Sequence, residues 1–184
     1  MTLLLKATLA IAVSFMLASC STLTSLTSSL GGANTQAVDG ANVAQTIRTK
    51  DLYGAWAISN DDEIDFLYLV VLMPNHAGLN FLSIDEKNGK PASEYTEYYK
   101  WEFDEQTKTF TSHAFKRESS EYGQPEKVEE VNETDHYNTT LYMNGKEVLA
   151  VRFTKPDENF IFLKMDAETY QKLVKDVPGI PSIK

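Results

Sequence analysis

Cysteine is almost missing from this chain. One Cys in 184 residues excludes an internal disulfide, a Cys-x-x-Cys redox pair and a thiolate zinc site, so its meaning has to come from its position. Basic residues are also short, 17 against 26 acidic for a net charge of -9. That balance argues against nucleic acid as a partner, because phosphate binding needs a Lys/Arg surface to release counterions. Glycine and proline, nine and six, are too few for collagen-like or Pro-rich low complexity, and no internal repeat at solenoid periods is visible. The three histidines, His76, His113 and His136, fall in different predicted elements with no His-x-x-x-His spacing, so they form no metal motif. There is no Gly-x-Ser-x-Gly elbow and no phosphate-cradling glycine loop. Carboxylates are plentiful, but abundance is not a general acid and base pair. The expectation is a non-enzyme with no cofactor and no metal.

What is present is 42% hydrophobic and 11% aromatic, enough for one packed domain. The composition is not uniform along the chain. Residues 1–20 read MTLLLKATLAIAVSFMLASC, with one Lys and an apolar run of about twelve residues, too short to cross a bilayer as a helix and suited to a secretory leader. From Ser21 to about Thr49 the chain is mostly Ser, Thr, Ala, Gly, Asn and Gln without an aromatic. This reads as a tether with a reach of about 30 Å if it is flexible, or in part, around Val43 to Ile47, as a short helix closing one end of the domain. From Asp51 onward lie 19 of the 20 aromatics, and 25 acids against 14 bases.

Leu17-Ala18-Ser19-Cys20 resembles the lipobox of bacterial lipoproteins. That resemblance implies a signal peptide over 1–19, a diacylglycerol on Cys20 with a further acyl chain such as palmitate on its amine, and a mature chain held on a membrane by lipid without spanning it. Ser21, where an Asp would favour inner-membrane retention, points to the outer membrane, at its periplasmic face or the cell surface.

The folded unit, residues 50–184, shows mainly period-two alternation. Strands are expected at 54–59, 66–73, 79–84, 94–103, 108–117, 126–133, 136–143, 146–154 and 160–165. Lys87-Asn88-Gly89-Lys90, Asp104 to Thr107 and Asn144-Gly145 read as turns, and Glu118 to Pro125 as a polar loop. A helix follows at 167–174, with Asp166 as N-cap and Met165 and Tyr170 as a hydrophobic staple, before Pro178 and Pro181. The fold class is therefore all-β, an antiparallel up-and-down barrel of about eight or nine strands with a short C-terminal helix; a β-sandwich is the alternative.

With the strands laid out, three fragments resemble the lipocalin family. Gly54-Ala55-Trp56 matches the Gly-x-Trp that opens the first barrel strand, Thr134-Asp135-His136-Tyr137 is similar to the Thr-Asp-Tyr signature before the seventh, and Arg152 stands where a late Arg lies across the Trp ring. The resemblance implies a barrel closed near Trp56 and open at its other end. It departs from a typical lipocalin in that a ninth predicted strand precedes the helix, which there follows the eighth.

The inward candidates are Tyr95, Tyr99, Trp101 and Phe103, joined by Phe160 and Phe162. They either line a cavity for a small apolar ligand or simply fill the core, since the same alternation serves both. The acidic cluster Asn60 to Asp65 has oxygen ligands suited to calcium but lacks the register and Gly of an EF-hand, and reads as a solvated loop. The run Glu118 to Glu133 reads as a charged edge that discourages strand addition or meets a basic partner. Two functions follow: a lipid-anchored carrier of a small apolar molecule, or an envelope protein-interaction module with a filled barrel, such as an inhibitor, assembly factor or stress sensor.

Overall fold

The computed structural model describes residues 38–59, 66–84, 93–121 and 124–176. The leader, Cys20, the first part of the tether, the 60–65 cluster, the Lys87 to Lys90 turn and Pro178 and Pro181 lie outside the described residues. Nine strands form one antiparallel sheet: β1 (Asn42–Val43), β2 (Gly54–Ser59), β3 (Phe66–Leu72), β4 (Ala77–Ile84), β5 (Ser93–Asp104), β6 (Thr109–Glu121), β7 (Lys127–Asn144), β8 (Glu147–Lys155) and β9 (Glu158–Lys164). Strands β2 to β9 each pair with the next, and β9 returns to β2 through Trp56 opposite Lys164 and Ala57 opposite Leu163. The result is a closed eight-stranded barrel. β1 lies outside the ring and pairs Asn42 and Val43 with Met143 and Tyr142 of β7. The helix α1, Ala167–Asp176, follows β9.

Three differences from the expected strands have physical causes. The sixth and seventh predicted strands are one strand, β7, because the polar residues taken for a break find cross-strand partners instead. Thr134 Oγ1 meets His113 Nδ1 at 2.9 Å, and Asp135 accepts from Lys155 Nζ at 2.8 Å. The Thr-Asp pair thus sits inside a strand rather than before one. The start of the expected polar loop is the end of β6, where Glu118 accepts from the Tyr98 hydroxyl at 2.8 Å. The β7–β8 loop is Gly145-Lys146, one residue later than expected, with Asn144 opposite Glu147 and Gly145 at φ 62°; a glycine with positive φ first in the loop is what a type II′ turn asks. With β7 counted once, the helix follows the eighth barrel strand. The barrel is compatible with a lipocalin-like fold.

Alternation sorts the apolar residues into three bodies. The interior holds Trp56, Tyr99, Trp101, Phe110, Phe153 and Phe162, with Ile47 and Leu52 beneath them. On the outer face Leu69, Val71, Leu79 and Phe81 pack with Tyr170 of α1. A second outer patch, Tyr142, Ala150 and Ile161, packs with Val38. Val38 and Ile47, inside the stretch read as tether, are therefore part of the packed structure, and β1 stands where a short helix was the alternative. α1 starts as its sequence dictates: Asp166 Oδ1 accepts from the N–H groups of Glu168 and Thr169 at 2.9 Å. It covers sheet; among the described residues no helix is long and apolar enough to cross a membrane.

Gly78 marks the tightest approach. A Cβ there would stand 2.2 Å from Tyr99 Cε2, and the Tyr99 ring, 1% exposed, has no room to withdraw. Gly78→Ala is expected to destabilise the fold by about 1–3 kcal/mol, the usual cost of overpacking, read as a lower urea midpoint with an unchanged slope.

Candidate functional site

The barrel has two ends, and described side chains reach into each. At the end where β2 begins, Trp56 is fully buried, and its Nε1 donates to the Leu52 carbonyl at 2.8 Å. A cation covers its ring, but not the expected one. Lys164, its cross-strand neighbour on β9, places Nζ 3.9 Å from the ring centroid and donates to the Tyr53 carbonyl. Arg152 occupies an even position of β8, beside Ala150 on the outer face, and its guanidinium stands 5.3 Å from the Tyr142 ring. Gly54, at φ 123°, lets the chain turn into β2 where a Cβ would lie 2.6 Å from Lys164 Nζ.

Above this floor aromatic rings fill the lumen. Trp101 stacks on Phe110 at 5.7 Å and 22°, and donates from Nε1 to the Ala77 carbonyl at 3.1 Å. Phe110 meets Phe153 at 4.8 Å, Phe153 meets Phe162 at 6.1 Å, and Tyr68 meets Phe162 at 5.2 Å. Among the described residues, a chamber of about 40 Å³ remains, walled by Phe110, Phe153, Phe160 and Phe162 and by polar groups of Asn80, Glu97, Ser112, Tyr68, Tyr99 and Tyr137. It has room for about three waters, at roughly 10–15 Å³ each, against the roughly 300–1,000 Å³ of pockets that take drug-sized ligands.

Of the six residues expected to line a cavity, Tyr99, Phe160 and Phe162 do line this chamber. Tyr95 stands at the mouth, its hydroxyl donating to Glu97 Oε2 at 3.1 Å. Trp101 lies in the core below, and Phe103 sits at the β5–β6 hairpin beside a surface hollow lined by Glu102, Asp104 and threonines. All six pack in the interior cluster, as alternation placed them, but only three line the chamber.

The mouth is charged, and apart from Asp135 and the end of the Glu118 to Glu133 run its members carry no sequence motif. Arg117 of β6 donates from Nε to Glu97 Oε2 at 2.7 Å and through both terminal nitrogens to Glu133 at 2.9 and 2.6 Å. Such a fork is the strong, planar form of ion pair. Asn80 donates to Glu97 Oε1 at 3.3 Å and accepts from the Tyr99 hydroxyl at 3.1 Å. Lys155 bridges Asp135 at 2.8 Å and Glu158 at 3.0 Å and lies 5.0 Å from the Tyr137 ring. One signal of this network was available: Glu97 interrupts the inward series Tyr95, Tyr99, Trp101, and a carboxylate on a buried face needs a cation. The position of Arg117 depends on the register shift at β6 and was not readable.

Electrostatics hold this end in one state at neutral pH. Burial pushes the Tyr68 and Tyr99 hydroxyls well up, and burial followed by neighbouring carboxylates does the same to Tyr95 and Tyr137. These tyrosines are neutral. The Arg117 fork holds Glu133 below the usual carboxylate range. The histidines are dispersed: His76 meets the Trp101 carbonyl at 3.0 Å, His136 meets Thr111 and His113 meets Thr134. Among the described residues no three His, Cys, Asp or Glu side chains converge for a metal.

Burial brings Lys164 down to about 8. A base whose folded pKa lies below its unfolded value binds fewer protons when folded, so between pH 8 and about 10.5 stability rises with pH. Deprotonation of tyrosines in the unfolded chain opposes this above about pH 10. Between pH 7.5 and 9.5 the wild type is expected to gain about 1 kcal/mol, after discounting for partial solvent exposure, and Lys164→Met is expected to abolish that gain in urea titrations at the two pH values. No protein-family model, curated protein or solved structure matches the chain.

Proposed function

We propose that this protein is a lipid-anchored lipoprotein of the bacterial envelope whose lipocalin-like barrel works as a protein-interaction module, and not as a carrier of an apolar molecule. The observation that carries this reading is the lumen: among the described residues, ring-to-ring packing leaves a chamber of about 40 Å³, with Trp56 and Lys164 at one end and the Glu97–Arg117–Glu133 bridge at the other. A carrier needs an apolar void continuous with a mouth. Here the largest aromatic investment goes into contacts between side chains of the same chain. What is left to meet a partner is the outer surface, which is acidic.

The lipobox resemblance supports the anchorage. Two or three acyl chains hold a protein on a membrane where one is marginal, and residues 21–37, poor in apolar and charged groups, supply a spacer between lipid and barrel. Outer-membrane residence follows from Ser21 in the same resemblance.

Three measurements test the parts separately. Cys20→Ser is expected to move the protein from the membrane to the soluble fraction, and unchanged membrane retention would remove the anchor from the proposal. An environment-sensitive apolar fluorophore is expected to show no saturable binding to the purified chain, and native mass spectrometry no copurified small molecule. A stoichiometric bound lipid or metabolite in that spectrum would restore the carrier reading.

A further inference from the structure

Strand β7 is 18 residues long, from Lys127 to Asn144, but β8 pairs with it only from Asn138 onward. The segment before Asn138 is bonded to β6 on one side and, among the described residues, to no strand on the other. The direction of its backbone groups can be read from its far end. Thr139 donates its N–H to Lys108 and the Leu141 carbonyl accepts from Ala44, so odd-numbered backbone groups face β6 and β1. No register shift intervenes down to Glu133. The N–H and C=O groups of Thr134 and His136 therefore point to the open side.

An unpaired strand edge is a template for another strand, through main-chain hydrogen bonds. Charge decides which strand. Glu126, Glu129, Glu130, Glu133 and Asp135 accompany this edge; Lys127 pairs with Glu129, Arg117 with Glu133 and Lys155 with Asp135, and Glu126 and Glu130 stand outside these pairs. A second copy of the chain would set this acidic edge against itself, and like charges opposite one another are destabilising. A basic segment meets the opposite sign at Glu126 and Glu130. The outer face also presents Val128, 55% exposed, with Phe115 of β6, 45% exposed, at the register shift, so that small apolar residues between the basic ones have side chains to cover.

We propose that the free edge of β7, from Val128 to His136, is the docking site for an extended Lys/Arg-rich segment of a partner protein, which adds to the sheet as a further strand. This rests on the interaction-module reading and names its surface and partner chemistry. The acids serve both sides of the choice: they prevent copies of the chain from joining edge to edge and select a basic partner.

The test uses the full mature chain in detergent micelles and a fluorescein-labelled twelve-residue peptide alternating Lys with Val and Thr. Anisotropy is expected to show saturable binding that weakens from 50 to 300 mM NaCl, with slowed amide exchange at Thr134 and His136. Thr134→Pro removes one outward N–H, no ladder bond to β6 and no charge; it is expected to weaken binding at least tenfold. The double substitution Glu126→Lys with Glu130→Lys leaves the backbone intact and is expected to weaken binding to a similar extent, which keeps the proposal testable if the proline variant is misfolded. Equal affinity for a correctly folded Thr134→Pro chain would reduce the attraction to bulk charge and overturn the proposal, as would exchange protection confined to another face. In-cell crosslinking separates the two levels: a partner contacting the α1 side overturns the edge assignment and leaves the interaction module standing, whereas no crosslinked partner together with a copurified ligand overturns both.

Discussion

The barrel depends on the seam between β2 and β9. Among the described residues, two residue pairs, Trp56 with Lys164 and Ala57 with Leu163, join the first barrel strand to the last. Every other neighbour in the ring is also a neighbour in sequence. The seam alone has to bring together residues more than a hundred positions apart, at the full entropic cost of closing that loop. Trp56 and Lys164 are suited to it because the pair binds twice, once through the backbone ladder and once through the ammonium over the indole. Gly54 belongs to the same device, leaving the space through which Lys164 reaches the ring.

Closure sets the interior problem. Eight strands enclose a lumen that side chains must fill, and this chain fills it with aromatics at the floor and middle and with ion pairs at the mouth. A buried ion pair is weak evidence for stability, since desolvation can equal the attraction. Its geometry here speaks to specificity instead. Glu97, Arg117 and Glu133 come from β5, β6 and β7, and the Arg117 fork is satisfied only when both register shifts along β6, beside Tyr98 and beyond Ala114, are in place. A slip of one residue would turn one of these charges to the outside and leave its partner buried without compensation. The network therefore ties the three longest strands to one alignment.

Much of the fold was legible because antiparallel strands with one buried face write their period directly into sequence. β2 was found to the residue, and the helix N-terminus was announced by Asp166. Legibility failed where polar side chains were satisfied across strands: Thr134-Asp135 looks like a turn in one dimension and is a pair of cross-strand contacts in three. It failed again at Arg152. A cation late in the chain was correctly sought for Trp56, but whether a residue faces in or out near a strand end depends on register, and Lys164 had that register while Arg152 did not. The chamber was beyond reach for a simpler reason. Period two identifies Tyr99, Phe160 and Phe162 as inward, but the volume left among them depends on ring angles set by partners on five other strands.

The same strand that completes the mouth also leaves the sheet unfinished, and the two facts are connected. β7 has to run past the end of β8 for Glu133 to meet Arg117 and Asp135 to meet Lys155. The overhang is thus a consequence of closing the mouth with charges, and its cost is an open row of backbone donors and acceptors. Natural sheets protect such edges by shortening them, bending them or loading them with charge. Shortening would remove Glu133 from the bridge, so charge is the remedy compatible with the interior. Carboxylates on this edge protect it against copies of an acidic chain, but offer no protection against a basic strand. An edge defended in this way discriminates between partners by the sign of their charge, and that selectivity comes from a requirement of the barrel's own mouth.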